Sequence, residues 1–116
     1  MRYSVRHTGS FGEKQMRAMV LSAPGASLQM QERADPTPGA GQLRVRVSAC
    51  GVCRTDLHVV DAQLPGIKYP VVPGHEIVGR VDLVDSDVTT HRIGDRVGIP
   101  WLGYTCGVCP FCKGGM

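Results

Sequence analysis

The chain has 116 residues and a formal net charge of +3, a length that suits one domain and excludes a two-domain enzyme within these residues. Leu, Ile, Val and Phe make up about a quarter of it, enough for a folded core, while 15 Gly and 8 Pro predict many turns and few long helices. The charge excess sits in the first 17 residues, where Arg2, Arg6, Lys14 and Arg17 oppose Glu13. The body therefore has no basic stripe for nucleic acid, no apolar run approaches the roughly 18–20 residues of a membrane span, and no secretory signal is evident.

Residues 1–15 are polar and without periodicity, and read as a flexible N-terminal extension, with a transit peptide as the alternative; the folded part is expected from Met16 onward. Arg17–Ser22 reads as a first strand and Pro24-Gly25 as the turn after it. Leu28–Glu32 is a short second strand, broken by Asp35-Pro36-Thr37-Pro38-Gly39. In Gln42–Ala49 the apolar Leu43, Val45, Val47 and Ala49 alternate with polar residues, which implies one buried and one wet face. Residues 55–62 suit a helical turn opened by Thr55 or Asp56. Glu76–Val84 and Arg96–Ile99 complete the strands, with Gly94-Asp95 as the turn before the second. Short strands at this spacing, parted by Gly and Pro turns, indicate a mainly β fold, a small antiparallel barrel or sandwich with short helical turns.

The cysteines carry the chemistry. Cys106, Cys109 and Cys112 form C-x2-C-x2-C in a Gly- and Pro-containing loop, where thiols three apart can converge on one ion at about 2.3 Å each. Their odd number and short separations suit disulfides poorly. A bacterial iron–sulfur run would place its fourth Cys where Met116 stands, so zinc is the expected metal. Cys50 ends the alternating strand and reads as a buried small apolar residue. Cys53 is followed by Arg54-Thr55-Asp56-Leu57-His58, and further on comes Val72-Pro-Gly-His-Glu76. A thiolate and an imidazole from separate loops suit zinc, and the Pro73-Gly74 turn aims His75. His7 and His91 lack such a context.

Together these segments resemble the zinc-dependent alcohol dehydrogenases of the medium-chain dehydrogenase/reductase family. Gly51–His58, Val72–Glu76, Gly94-Asp-Arg-Val97 and the Cys106/109/112 loop occur in the family's order. Val97–Leu102 looks like the branch that oxidises ethanol and propanol. The resemblance implies a GroES-like partial antiparallel barrel over residues 16–116, the front of a catalytic domain, with the Rossmann domain absent.

It also implies roles for single residues. Cys53 and His75 would be ligands of a catalytic zinc, with Glu76 beside the metal, and Asp56 would hydrogen-bond His75. Arg54 would reach the cofactor pyrophosphate, and Thr55 and His58 would relay the proton. Cys106, Cys109 and Cys112 would be three of four ligands of a structural zinc. Trp101 and Leu64 would line a pocket for small primary alcohols. The remaining ligand of each zinc, and the NAD or NADP site, are expected beyond residue 116, so the isolated chain is expected to be inactive. The intact protein is expected to be a cytoplasmic homo-oligomer, dimer or tetramer, acting on a small alcohol or aldehyde, with no nucleic acid or membrane partner. The alternatives are a polyol, threonine or formaldehyde dehydrogenase of the same superfamily, or a stand-alone zinc-binding module.

Overall fold

The computed structural model describes residues 3–6, 15–102 and 105–115. Among the described residues, six strands and two short helices follow one another: β1 (Tyr3–Arg6), β2 (Gln15–Val20), β3 (Gln29–Ala34), β4 (Leu43–Gly51), α1 (Arg54–Val60), β5 (Glu76–Val84), β6 (Arg96–Ile99) and α2 (Pro110–Lys113). They form a four-stranded sheet in the order β1-β4-β5-β6 and a two-stranded hairpin, β2-β3. Every ladder is antiparallel except β1 on β4, which is parallel.

The mainly β expectation holds, and the strands stand where period-two patterning and turn residues put them. β1 and the first residue of β2, Gln15, are the exceptions, since residues 1–15 carry no periodicity that announces a strand. Tyr3-Ser-Val-Arg6 is a short segment whose partner, Leu43–Arg46, is some forty residues away. A parallel pairing at that distance leaves no hairpin turn to announce it.

The core of the larger sheet is Leu43, Val45, Ile77, Val81 and Ile99, with Val47, Val84, Val88 and Val97 packed against it. The alternation along β4 does not survive its full length. Register shifts at Arg44/Val45 and Val47/Ala49 turn the strand, so that Leu43 and Val45 are buried while Ala49 and Cys50 are exposed. Cys50 is therefore not the buried residue its place in the pattern suggests. The same irregularity buries Arg44, whose Nε donates to Asp82 Oδ1 at 2.8 Å and whose Nη1 donates to the Pro36 carbonyl at 3.3 Å. Gly79 on β5 permits the close approach of β4, since a Cβ there would lie 2.5 Å from the Arg46 carbonyl oxygen.

Three tertiary links hold the segment that follows β4. Leu21, fully buried just after β2, exchanges backbone hydrogen bonds with Val71 at 2.8 and 3.0 Å, which seats the loop leading to His75. The Gly25 N–H donates to the Val60 carbonyl at 2.9 Å, and the Tyr69 hydroxyl donates to the Val59 carbonyl at 3.0 Å. Carbonyls that a helix end leaves unsatisfied thus receive donors from two separate loops, and α1 is held in place despite its seven residues.

Candidate metal centres

α1 begins at a cysteine. Cys53 has extended dihedrals (φ −115°, ψ 174°) and is the N-cap; its Sγ accepts the Thr55 N–H at 3.2 Å. Three residues on, Asp56 Oδ2 accepts the Cys53 N–H at 2.9 Å. The two bonds make a reciprocal capping box in which sulfur replaces the usual hydroxyl. The start expected at Thr55 or Asp56 is therefore two or three residues late, because a thiol is not among the common caps. Cys53-x-x-Asp56 nevertheless has capping-box spacing, a signal available in the sequence.

The other carboxylate oxygen of Asp56 points into the site. Asp56 is 8 % exposed, and Oδ1 is buried with no well-angled hydrogen bond; its nearest partner is His75 Nδ1 at 3.2 Å. The opposite ring nitrogen, Nε2, lies 3.1 Å from Cys53 Sγ. Ligand atoms of Cys53, Asp56 and His75 all fall within 4.8 Å of one another. A carboxylate that holds the proton on Nδ1 leaves Nε2 as a lone-pair donor facing sulfur, the set that zinc takes. The residues present therefore fit such an ion.

His75 is delivered by Gly74, whose φ of 125° is open to glycine alone, and whose missing Cβ leaves room for Cys50 Sγ at 2.7 Å from where that atom would be. Trp101 meets the His75 ring edge-on, with centroids 4.8 Å apart and planes at 84°.

The remaining residues singled out in the sequence are placed as follows. Arg54, exposed, and Thr55, half-buried, are the first residues of α1, and His58 is half-buried in its last turn. His58 Nδ1 pairs with Gln63 Oε1, a partner the sequence reading did not foresee. Glu76 opens β5 opposite Gly51, its carboxylate lying over that glycine, and it is not in the cluster of close ligand atoms. Leu64 is half-buried in the segment after α1.

The second cluster is Cys106, Cys109 and Cys112, again within 4.8 Å of one another. Gly107, at φ 73°, turns the chain, and Cys109 caps α2. The Cys109 N–H points to Cys106 Sγ at 3.4 Å, and the Cys112 N–H to Cys109 Sγ at 3.5 Å. The sulfurs of Cys109 and Cys112 are 3.4 Å apart, those of Cys106 and Cys112 3.8 Å. Hydrogen bonds from the Val108 N–H, and then the Cys109 N–H, hold the Cys106 thiol down at about 7. Three sulfurs this close, one of them readily a thiolate, fit a structural metal.

Residues 39–116 match the family described as the alcohol dehydrogenase GroES-like domain. The chain is 49 % identical over 102 residues to an alcohol dehydrogenase of Moraxella sp. (strain TAE123), covering 86 % of this chain and 30 % of that protein. Among solved structures it is similar to a short chain alcohol dehydrogenase of E. coli CFT073 complexed with NADH (TM-score 0.73, 37 % identity, 87 % of this chain and 28 % of that one). It is also similar to the apo form of zinc dependent alcohol dehydrogenase 2 from Streptococcus pneumonia (TM-score 0.76, 29 % identity, 85 % and 28 %). The chain thus spans less than a third of the length of these relatives.

Proposed function

We propose a function from one premise: the chain belongs to the family of alcohol dehydrogenase GroES-like domains. In this reading it is the N-terminal part of a zinc-dependent alcohol dehydrogenase that oxidises small primary alcohols to aldehydes with NAD or NADP. The observation that carries the reading is the meeting of Cys53, Asp56 and His75 at the N-terminus of α1. Zinc and a nicotinamide cofactor are the groups that the related proteins suggest for the whole enzyme.

Cys53 Sγ and His75 Nε2 would hold the catalytic zinc, with Glu76 beside it. Cys106, Cys109 and Cys112 would hold a structural one. When bound, the catalytic zinc supplies Lewis acidity, which draws the pKa of a coordinated hydroxyl group far down toward neutrality. Asp56 keeps the proton on His75 Nδ1 and orients the ring. Thr55 receives the alcohol's proton and passes it toward His58, whose imidazole can accept a proton at one ring nitrogen and release it to solvent. Arg54, exposed at the first turn of α1, binds the cofactor pyrophosphate as a charged hydrogen-bond donor. The Trp101 indole, which meets His75 edge-on, and Leu64 would line the alcohol pocket.

Zinc analysis and turnover on the purified chain test this reading. The three-thiol cluster should retain about one zinc per chain and lose it in Cys106→Ser, whereas two ligands hold the ion weakly and Cys53→Ser should change the content little. NAD reduction with ethanol or propanol should not exceed that of a metal-free control. Tight retention of two zinc ions, or turnover above the control, would instead make the chain a complete zinc protein in itself.

A further inference from the structure

Residues after α1 turn back onto the helix in a way that the relay role of His58 does not by itself require. The helix ends at Val60, with Asp61 as C-cap and Ala62 in the left-handed region at φ 56°. The Ala62 N–H donates to the Val59 carbonyl at 3.3 Å, and the Gln63 N–H donates to the His58 carbonyl at 2.9 Å. These two bonds are the pair that defines a Schellman motif, in which the second residue past the cap lies over the third residue before it. That contact is usually apolar. Here it joins Gln63 to His58, and the carboxamide Oε1 meets ring Nδ1. Ala62 holds this left-handed conformation without being glycine, at some cost in backbone energy, so the return of Gln63 is built into the chain.

We propose that Gln63 is a positioning residue whose carboxamide oxygen fixes His58 in the Nδ1–H tautomer, leaving Nε2 as the proton-accepting end of the ring. This rests on the relay role given to His58 above. A neutral imidazole has one donor and one acceptor nitrogen, and the hydrogen bond at one decides the role of the other. With Nδ1–H held by Gln63, the ring takes a proton at Nε2, becomes imidazolium, and returns to the same neutral tautomer when that proton passes to water. Nothing is oxidised or reduced, and the Nδ1 proton stays in place throughout. Without this partner a neutral imidazole in contact with water favours Nε2–H, which presents a donor where the relay needs an acceptor.

Long-range 1H–15N NMR of the 15N-labelled chain tests the tautomer. It is recorded about two pH units above the ordinary histidine value of about 6.5, with His58 assigned by the signals lost in His58→Gln. A pyrrole-type shift at Nδ1 and a pyridine-type shift at Nε2 are expected. Gln63→Met should lose that pattern and move toward Nε2–H, while Gln63→Glu, whose carboxylate accepts the same bond, should keep it. An Nε2–H ring in the unaltered chain, or an unchanged pattern in Gln63→Met, overturns the proposal. Zinc content of the same sample reports on the functional reading separately: a metal-free chain with Nδ1–H His58 would remove that reading and leave the tautomer assignment standing.

Discussion

Cys50 and Gly74 illustrate how one residue's absence of a side chain locates another's reactive group. The sulfur of Cys50 lies where a Cβ on residue 74 would need to be, 2.7 Å away, and the backbone there has φ 125°. Gly74→Ala therefore meets two obstacles, a clash with sulfur and a backbone conformation that a side chain strains, and the latter costs of order 1–3 kcal/mol. Urea denaturation should show Gly74→Ala destabilised by more than that strain alone. The double variant Gly74→Ala/Cys50→Ala should recover the steric share only, since φ is unchanged. Full recovery would mean that backbone strain plays no part, and no recovery would mean that the sulfur is not the obstacle. The sequence made His75 conspicuous through Pro73-Gly74, and Cys53 through its neighbours, because both are chemical labels. It did not reveal that Cys50 fills the hollow beneath the turn, because that depends on where two register shifts leave the end of β4.

At the scale of elements, period-two alternation and turn residues disclosed β2 to β6, while the helix start at Cys53 and the pairing of β1 stayed hidden. The common reason is that tertiary partners decide these features: a sulfur cap is defined by the bonds it accepts, and a parallel pair by a strand far away in sequence. The buried Arg44 is a third case. Alternation assigns it to the wet face of β4, yet it is 8 % exposed and joins Asp82 of β5 at 2.8 Å, with Asp35 of the preceding loop at 3.8 Å. The clamp ties that loop to the β4–β5 pair. Breaking a mostly buried pair from one side leaves an uncompensated charge, which costs about 3 kcal/mol at the lower end of the range for such sites. Asp82→Ala should lower the urea midpoint by at least about 1 M, given slopes of about 1–3 kcal/mol per M for small proteins. Arg44→Met/Asp35→Asn/Asp82→Ala, which removes all three charges of the cluster, should be milder than Asp82→Ala alone. Equal loss in the two variants would show that the stabilisation comes from the packing of the Arg44 stem and not from the ion pair.

Across the whole molecule, apolar burial and metal-binding groups are separated. The core residues belong to the two sheets and to Leu21 just after β2, whereas α2 has four residues, none of them buried, and a helix that short cannot stand by its own hydrogen bonds. On the proposed reading, the Cys106–Cys112 segment would draw its order from a metal held by its thiols, and the sheets would not. Metal binding requires thiolates, so protons compete with the ion. Because the Cys106 thiol is held at about 7, below its ordinary value of 9.0, its thiolate prevails above that pH and is lost as pH falls through it. Zinc affinity should accordingly weaken progressively as pH falls below about 7, with release completed at a lower pH that zinc titrations at a series of pH values would locate. Chelation at neutral pH should abolish amide-exchange protection in residues 105–115 and leave protection in β4 and β5 intact. Strand protection lost together with the lobe would show that the metal supports the whole fold, and the separation of core from metal lobe would then be wrong.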